Sequence, residues 1–273
     1  MTKTIALIHG AWLNAKSWEG FKAHYESKGY TVYTPNWPYD EGEPADLRAN
    51  PHPMLKTVGV KGIVDHLEAE IRKLPEQPIL IGHSAGGVFT QILLDRGLGV
   101  AGVAINPAPT TGVRLGIHSI VSAFPVLGSW GSWKRIMHMS PNFFAKRFAN
   151  GLREHEVDAY YSRYIVPTAG KVYWDGILTS AGKIRWDNPA RAPLLLIGGG
   201  LDLIADASMT RAIYDKQRRA PSQTALKIFE GRSHFTCIEA GWEEVADFAL
   251  DWAVRHPRSG MPGAGGIAIG TAA

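Results

Sequence analysis

The stretch ILIGHSAGG, residues 79–87, decides how the rest of the chain is read. An apolar run ends abruptly in His83 and Ser84, meets small residues, and returns to apolar periodicity. Glycines at 82, 86 and 87 flank a single serine. Two readings are open: a strand turning into a helix through small residues, or a serine held on a strained corner with its hydroxyl exposed for chemistry. Gly82-His83-Ser84-Ala85-Gly86 fits the spacing G-x-S-x-G, in which a sharp strand-to-helix turn leaves no room for side chains two residues either side of the serine. Composition alone produces such a match readily in a glycine-rich chain, so its weight depends on context.

The context is alternating. Apolar, β-branched runs stand at Thr4–Ile8, Tyr30–Thr34, Pro78–Ile81, Val100–Ile105, Pro193–Ile197 and Ala225–Phe229. They are continuous rather than alternating in polarity, as parallel strands covered on both faces are. Helical stretches separate them at Ser17–Ser27, Val58–Leu74, Ala85–Asp95, Ala207–Arg218 and Trp242–Arg255. This pattern predicts an α/β fold, a mostly parallel doubly wound sheet of about six strands, with ligands bound beyond the strands' carboxyl ends. Ser84 then follows a strand directly and opens a helix.

Residues 107–190 interrupt the pattern. They carry ten Lys/Arg against five Asp/Glu and 12 of the chain's 27 aromatics. They read as an inserted helical cap over a core made of 1–106 and 191–258. Trp12, Trp130, Trp133 and Tyr164 are expected in the pocket wall, as large rigid apolar surfaces. The tail 259–273, SGMPGAGGIAIGTAA, has the composition of a linker or remnant and is left out of the fold.

Bulk properties exclude several classes. A chain of 273 residues, 45% apolar and 20% charged, is one domain with an insertion and has ordinary globular composition. No apolar run approaches the ~20 residues of a membrane span. The opening MTKTIALIHG is too short in apolar residues for a secretory signal. The single cysteine, Cys237, allows neither an intrachain disulfide nor a cysteine-based metal cluster and fits a reducing cytoplasm. A net charge of +4 without a basic run gives no footprint for nucleic acid.

A serine needs a base to take its proton and a third group to orient that base. Strand Pro193–Ile197 runs into GGGLDLIAD, offering Asp202 or Asp206, and Ala225–Phe229 runs into EGRSHFT, offering His234. The order Ser84, Asp202, His234 predicts a triad, with Asp206 read as a helix N-cap. His83 reads as structural. Near the first strand, HGAW (His9–Trp12) offers the amide of Ala11, and Ala85 offers a second, as an oxyanion hole.

With HGAW, GHSAGG, GGGLD and GRSHF in this order, the chain resembles the α/β-hydrolase superfamily over nearly all but the insertion and tail. The segment MSPNFFAKRFANGLREHEVDAYYSRYIVPTAG (139–170) resembles uncharacterised bacterial hydrolases. The HGAW start is similar to plant methyl esterases and hydroxynitrile lyases. The lyases carry a lysine directly after the catalytic histidine, where this chain has Phe235. Dehalogenases and epoxide hydrolases use Asp where Ser84 stands. The resemblance implies a cofactor-free, metal-free serine hydrolase acting on a small-molecule carboxylic ester through an acyl-enzyme. Thioester, lactone and perhydrolase variants of the same triad stay open, as does a ligand-binding receptor on a hydrolase scaffold.

Overall fold

Six apolar runs form one six-stranded parallel sheet in the computed structural model, which describes residues 2–258; the tail 259–273 lies outside the described residues. The strands are β1 (Thr4–Ile8), β2 (Thr31–Tyr33), β3 (Ile79–His83), β4 (Ala101–Ile105), β7 (Leu194–Gly199) and β8 (Thr224–Phe229), in spatial order β2-β1-β3-β4-β7-β8; two short strands, β5 (Ile136–Met137) and β6 (Thr168–Ala169), pair antiparallel elsewhere. The four inner strands are buried at every position, while the edge strands β2 and β8 are partly open. That is why the inner runs read as continuously apolar.

One row of partners crosses the sheet from Ile8 through Gly82, Ala104 and Leu196 to Leu226. Because all strands run the same way in this register, the residues that follow them emerge together along one edge. Helices α1 (Glu19–Ser27), α2 (Pro44–Ala49), α3 (Val60–Arg72), α4 (Ala85–Asp95), α9 (Ala207–Gln217) and α10 (Trp242–Arg255) belong to the sheet-bearing part. The short α2 and a 3-10 turn at Pro53–Thr57 have no counterpart in the sequence reading; proline at or near their first positions starts both.

Between β4 and β7 the chain leaves the sheet and forms α5 (Ile117–Leu127), α6 (Pro141–Phe143) with a π-turn at Phe144–Phe148, α7 (Glu154–Tyr164) and α8 (Gly170–Leu178). Backbone and side-chain bonds fasten this segment to the core: Val166 N–H donates to Trp12 C=O at 3.0 Å, and Arg48 donates to the carbonyl of Ile165 at 2.5 Å. No helix among the described residues is long and apolar enough to cross a membrane.

Candidate active site

Ser84 occupies the turn from β3 into α4 with φ +55° and ψ −120°, a conformation that strains any residue with a Cβ. The glycines around it have distinct causes. A Cβ on Gly82 would lie 2.1 Å from the Gly86 carbonyl oxygen, and one on Gly86 would lie 2.1 Å from that of Ile8. The turn closes only because strand, helix and β1 touch through bare backbone. Gly87 is merely tight, 3.2 Å from Pro107. The turn is pinned by Ser84 N–H donating to Ile105 C=O at 2.9 Å.

Gly10 lies over the serine; a Cβ there would meet the Ser84 Cβ at 2.7 Å. The fully buried His9 ring sets the peptide that follows. Burial pushes its imidazole down to about 4, so the ring is neutral. Its Nε2 accepts from Trp37 N–H at 3.3 Å, which leaves Nδ1–H to donate to Gly10 C=O at 3.0 Å. In a trans peptide the Ala11 N–H then points to the side away from His9. The Asp40 carboxyl approaches His9 Nε2 at 3.4 Å, and burial holds its pKa well above the usual carboxylate range. Burial thus works against charge on both partners of this contact. Ala85 is the first residue of α4, where an N–H has no intrahelical acceptor.

Past β8, His234 is fully buried and its Nδ1–H donates to Asp202 Oδ2 at 2.7 Å. Asp202 is held in turn, its Oδ1 accepting the amides of Ile204 at 2.7 Å and Ala205 at 2.8 Å. The glycines before Asp202 make space for the histidine loop: a Cβ on Gly199 would lie 2.4 Å from Arg232 C=O. His83 ties that loop to the serine turn, donating Nε2–H to His234 C=O at 2.8 Å with ring centroids 4.8 Å apart. Burial, then the neighbouring His234, push the His83 imidazole well below its ordinary value. The far ring nitrogen, His234 Nε2, is buried without a partner among the described residues.

Sequence reasoning passed over three contributors. Asn106, at φ +44°, donates Nδ2–H to Ser233 C=O at 2.9 Å, and an Asn-Pro pair such as 106–107 signals no more than a turn in sequence. Phe148 packs edge-on to His234 at 4.8 Å. Tyr173 of α8 accepts from Trp12 Nε1–H at 2.6 Å.

Ser84, Ala11 and Ala85 line one cavity of about 70 Å³. Val88 and Phe89 of α4, Ser119, Ser122 and Ala123 of α5, and Val172, Tyr173 and Ile177 of α8 complete most of its wall. The four aromatics expected there are elsewhere. Trp12 lines an adjoining cavity of about 180 Å³ with Met137 and Met139. Trp133 faces a surface groove with Lys56 and Lys171, packed edge-on between Trp130 and Trp174. Tyr164 packs against Phe235 and bonds Glu19. These four aromatics find other partners, and the aromatics lining the serine's cavity are Phe89 and Tyr173.

The profile of the alpha/beta hydrolase family matches residues 5–248. Solved structures with the same fold include a methylesterase from Arabidopsis (14% identity, TM-score 0.66, covering 92% of this chain and 99% of that one). A monoacylglycerol lipase from Paleococcus ferrophilus has 19% identity and TM-score 0.64, covering 93% and 94%. Tomato methylketone synthase I complexed with 2-tridecanone has 16% identity and TM-score 0.67, covering 94% and 99%. Comparison with curated proteins finds no match.

Proposed function

From the premise that this chain belongs to the alpha/beta hydrolase family, we propose that it hydrolyses carboxylic esters through an acyl-enzyme on Ser84. The observation that carries this reading is His234: one ring nitrogen is bonded to Asp202 at 2.7 Å, and the other is buried and unpartnered. A buried polar atom left without a partner costs about 1–3 kcal/mol, so the fold keeps it at a cost. With Nδ1–H donated to the carboxylate, the neutral ring presents the Nε2 lone pair, the state in which histidine serves as a general base.

In the proposed cycle, Ser84 Oγ attacks the ester carbonyl while His234 Nε2 takes its proton. The oxyanion forms against the amides of Ala11 and Ala85, the second favoured by the positive end of the α4 dipole. His234 then passes the proton to the leaving alcohol. Water, activated by the same nitrogen, attacks the acyl-enzyme and returns Ser84. Asp202 fixes the ring through Nδ1.

The cavity narrows the substrate. Among the described residues its wall holds no charged side chain, and its polar atoms are three hydroxyls besides peptide groups and Ser84 itself. Burying a carboxylate there without a cation would be costly, so the group entering it is small, apolar and uncharged. The basic surplus of residues 107–190 then acts outside the cavity. Tyr173 adds specificity: its oxygen already accepts from Trp12, leaving its O–H to donate to a substrate oxygen. Residues 107–190 serve in this reading as the cap.

The test is a chromogenic short-chain ester under burst conditions. One equivalent of alcohol is released ahead of steady state by the parent and none by Ser84→Ala, with melting unchanged. Parental-level turnover in the alanine variant would remove Ser84 from the mechanism.

A further inference from the structure

Helix α5 carries its large apolar side chains on the wrong face for a core helix. Ile117, Ile120, Val121 and Phe124 follow the i, i+3, i+4, i+7 spacing of one stripe and are 69, 47, 51 and 69% exposed. Trp130, three residues past the helix, is 88% exposed. The opposite face, Ser119, Ser122 and Ala123, is buried against the Ser84 cavity. Contiguous apolar surface of this kind marks a site of interaction.

The charge along this stretch of chain has one sign, the Asp206 carboxylate being buried beneath the start of α5. Residues 97–153 contain no Asp or Glu, yet include Arg114, Lys134, Arg135, Lys146, Arg147 and Arg153. Arg147 donates to His118 C=O at 2.7 Å and Arg135 to Trp130 C=O at 2.6 Å, which places a guanidinium near each end of the stripe. A second copy laid on this face would oppose cation to cation. An anionic lipid surface would instead meet the cations with its headgroups and take the apolar side chains below them, with tryptophan at the level where it partitions best.

We propose that the outer face of α5, with Trp130, docks on an anionic phospholipid surface without crossing it. The helix is one layer, about 10 Å thick, so docking brings the Ser84 cavity next to the phase where apolar esters collect. Docking needs no hydrolysis, so this inference and the proposed reaction fail separately.

The test sediments the full chain with vesicles of phosphatidylcholine, alone or mixed with phosphatidylglycerol, at low and high salt. The mixed vesicles are expected to bind several-fold more protein, high salt to release it, and Trp130 emission to shift blue. Ile117→Ser/Phe124→Ser should abolish binding while keeping melting and hydrolysis of a soluble short ester. Arg114→Glu/Lys134→Glu should weaken it. Equal binding to both vesicles, equal binding by parent and the serine variant, or no binding would overturn the proposal. So would a dimer that the serine variant dissociates, which assigns the face to a second copy.

Discussion

Two successive helices of 11 residues each, α4 in the sheet-bearing part and α5 in the segment that leaves it, wall the same cavity. In α4 every residue from Ala85 to Leu94 is buried, and the helix start is fixed by direct backbone contact through Gly82 and Gly86. In α5 the small residues face inward and the large ones face water. Its links to the core are side-chain bonds, such as Ser122 Oγ–H to Leu203 C=O at 2.7 Å, beside which Arg147, bonded to Ser122, also donates to Leu203 C=O at 3.2 Å. Backbone contact has no rotamer freedom, whereas a hydroxyl bond can be exchanged for water at about 1 kcal/mol. The wall that presents Ser84 is therefore rigid by construction, and the facing wall is held by replaceable polar links. Substitutions on the two sides should differ in kind.

The largest effect belongs to the rigid side. Asp202→Asn keeps the shape but offers an N–H to His234 Nδ1, favouring the wrong tautomer. Turnover of a short ester should fall by about 10⁴-fold, the size seen when a triad aspartate is amidated. A loss under about tenfold would show that Asp202 does not orient the base. Next come the glycines. Gly86→Ala drives a Cβ to 2.1 Å from Ile8 C=O, and because both groups are backbone the turn itself must open. A loss of about 3 kcal/mol or more, or no folded protein, is expected. Gly87→Ala, whose nearest neighbour is 3.2 Å away, should fold and cost about 1 kcal/mol. Urea midpoints for the pair test the contrast, and equal midpoints would break it.

This contrast also explains what could be read from the sequence. The strands, α4 and the places of Ser84, Asp202 and His234 were legible because backbone crowding leaves a residue-type signature: only glycine fits at 82 and 86. The glycines at 198–200 illustrate the limit, since in sequence they simply precede Asp202, whereas Gly199 also admits the His234 loop from the neighbouring strand. In residues 107–190 side-chain size was a poor guide. Trp130 and Trp133 read as pocket walls, because sequence does not say which partner a large side chain will meet. The cavity is instead faced by Ser119, Ser122 and Ala123, residues with no signal of their own. Tyr173 was hidden for the same reason; its importance depends on Trp12, 161 residues away.

A smaller effect concerns the tether between the serine turn and the histidine loop. His83 is buried and its folded pKa lies well below the ordinary value of about 6.5. Below that pH the unfolded chain takes up a proton that the folded one refuses, so stability is full above about pH 6.5 and falls as pH drops, at up to about 1.4 kcal/mol per unit. His9, at about 4, has the same sign, whereas burial raises the Asp40 pKa on folding, so the His9 and Asp40 contributions have opposite signs. Urea midpoints at pH 7, 6 and 5 should decline for the parent and decline less for His83→Gln, whose amide can still donate to His234 C=O. Parallel declines would assign the acid sensitivity to other groups.

The smallest effect tests the replaceable side. Asp206 caps α9, its Oδ1 accepting Met209 N–H at 3.1 Å, and its Oδ2 is approached by Ser119 Oγ of α5 at 3.5 Å. The fit is close, since a Cβ on Gly116 would overlap Oδ2 at 1.8 Å. Asp206 therefore joins the core to the start of the exposed helix, whereas Asp202, four residues earlier, joins the core to His234. Asp206→Asn should be nearly silent, because asparagine also caps helices. Asp206→Ala should lower stability by about 1 kcal/mol, with turnover within a few-fold of the parent. The weak 3.5 Å contact adds little to that loss, which the double variant with Ser119→Ala checks: its midpoint should match Asp206→Ala alone. An inactive Asp206→Asn beside an active Asp202→Asn would exchange the roles of the two aspartates. The rigid wall would then depend on α5 for its chemistry.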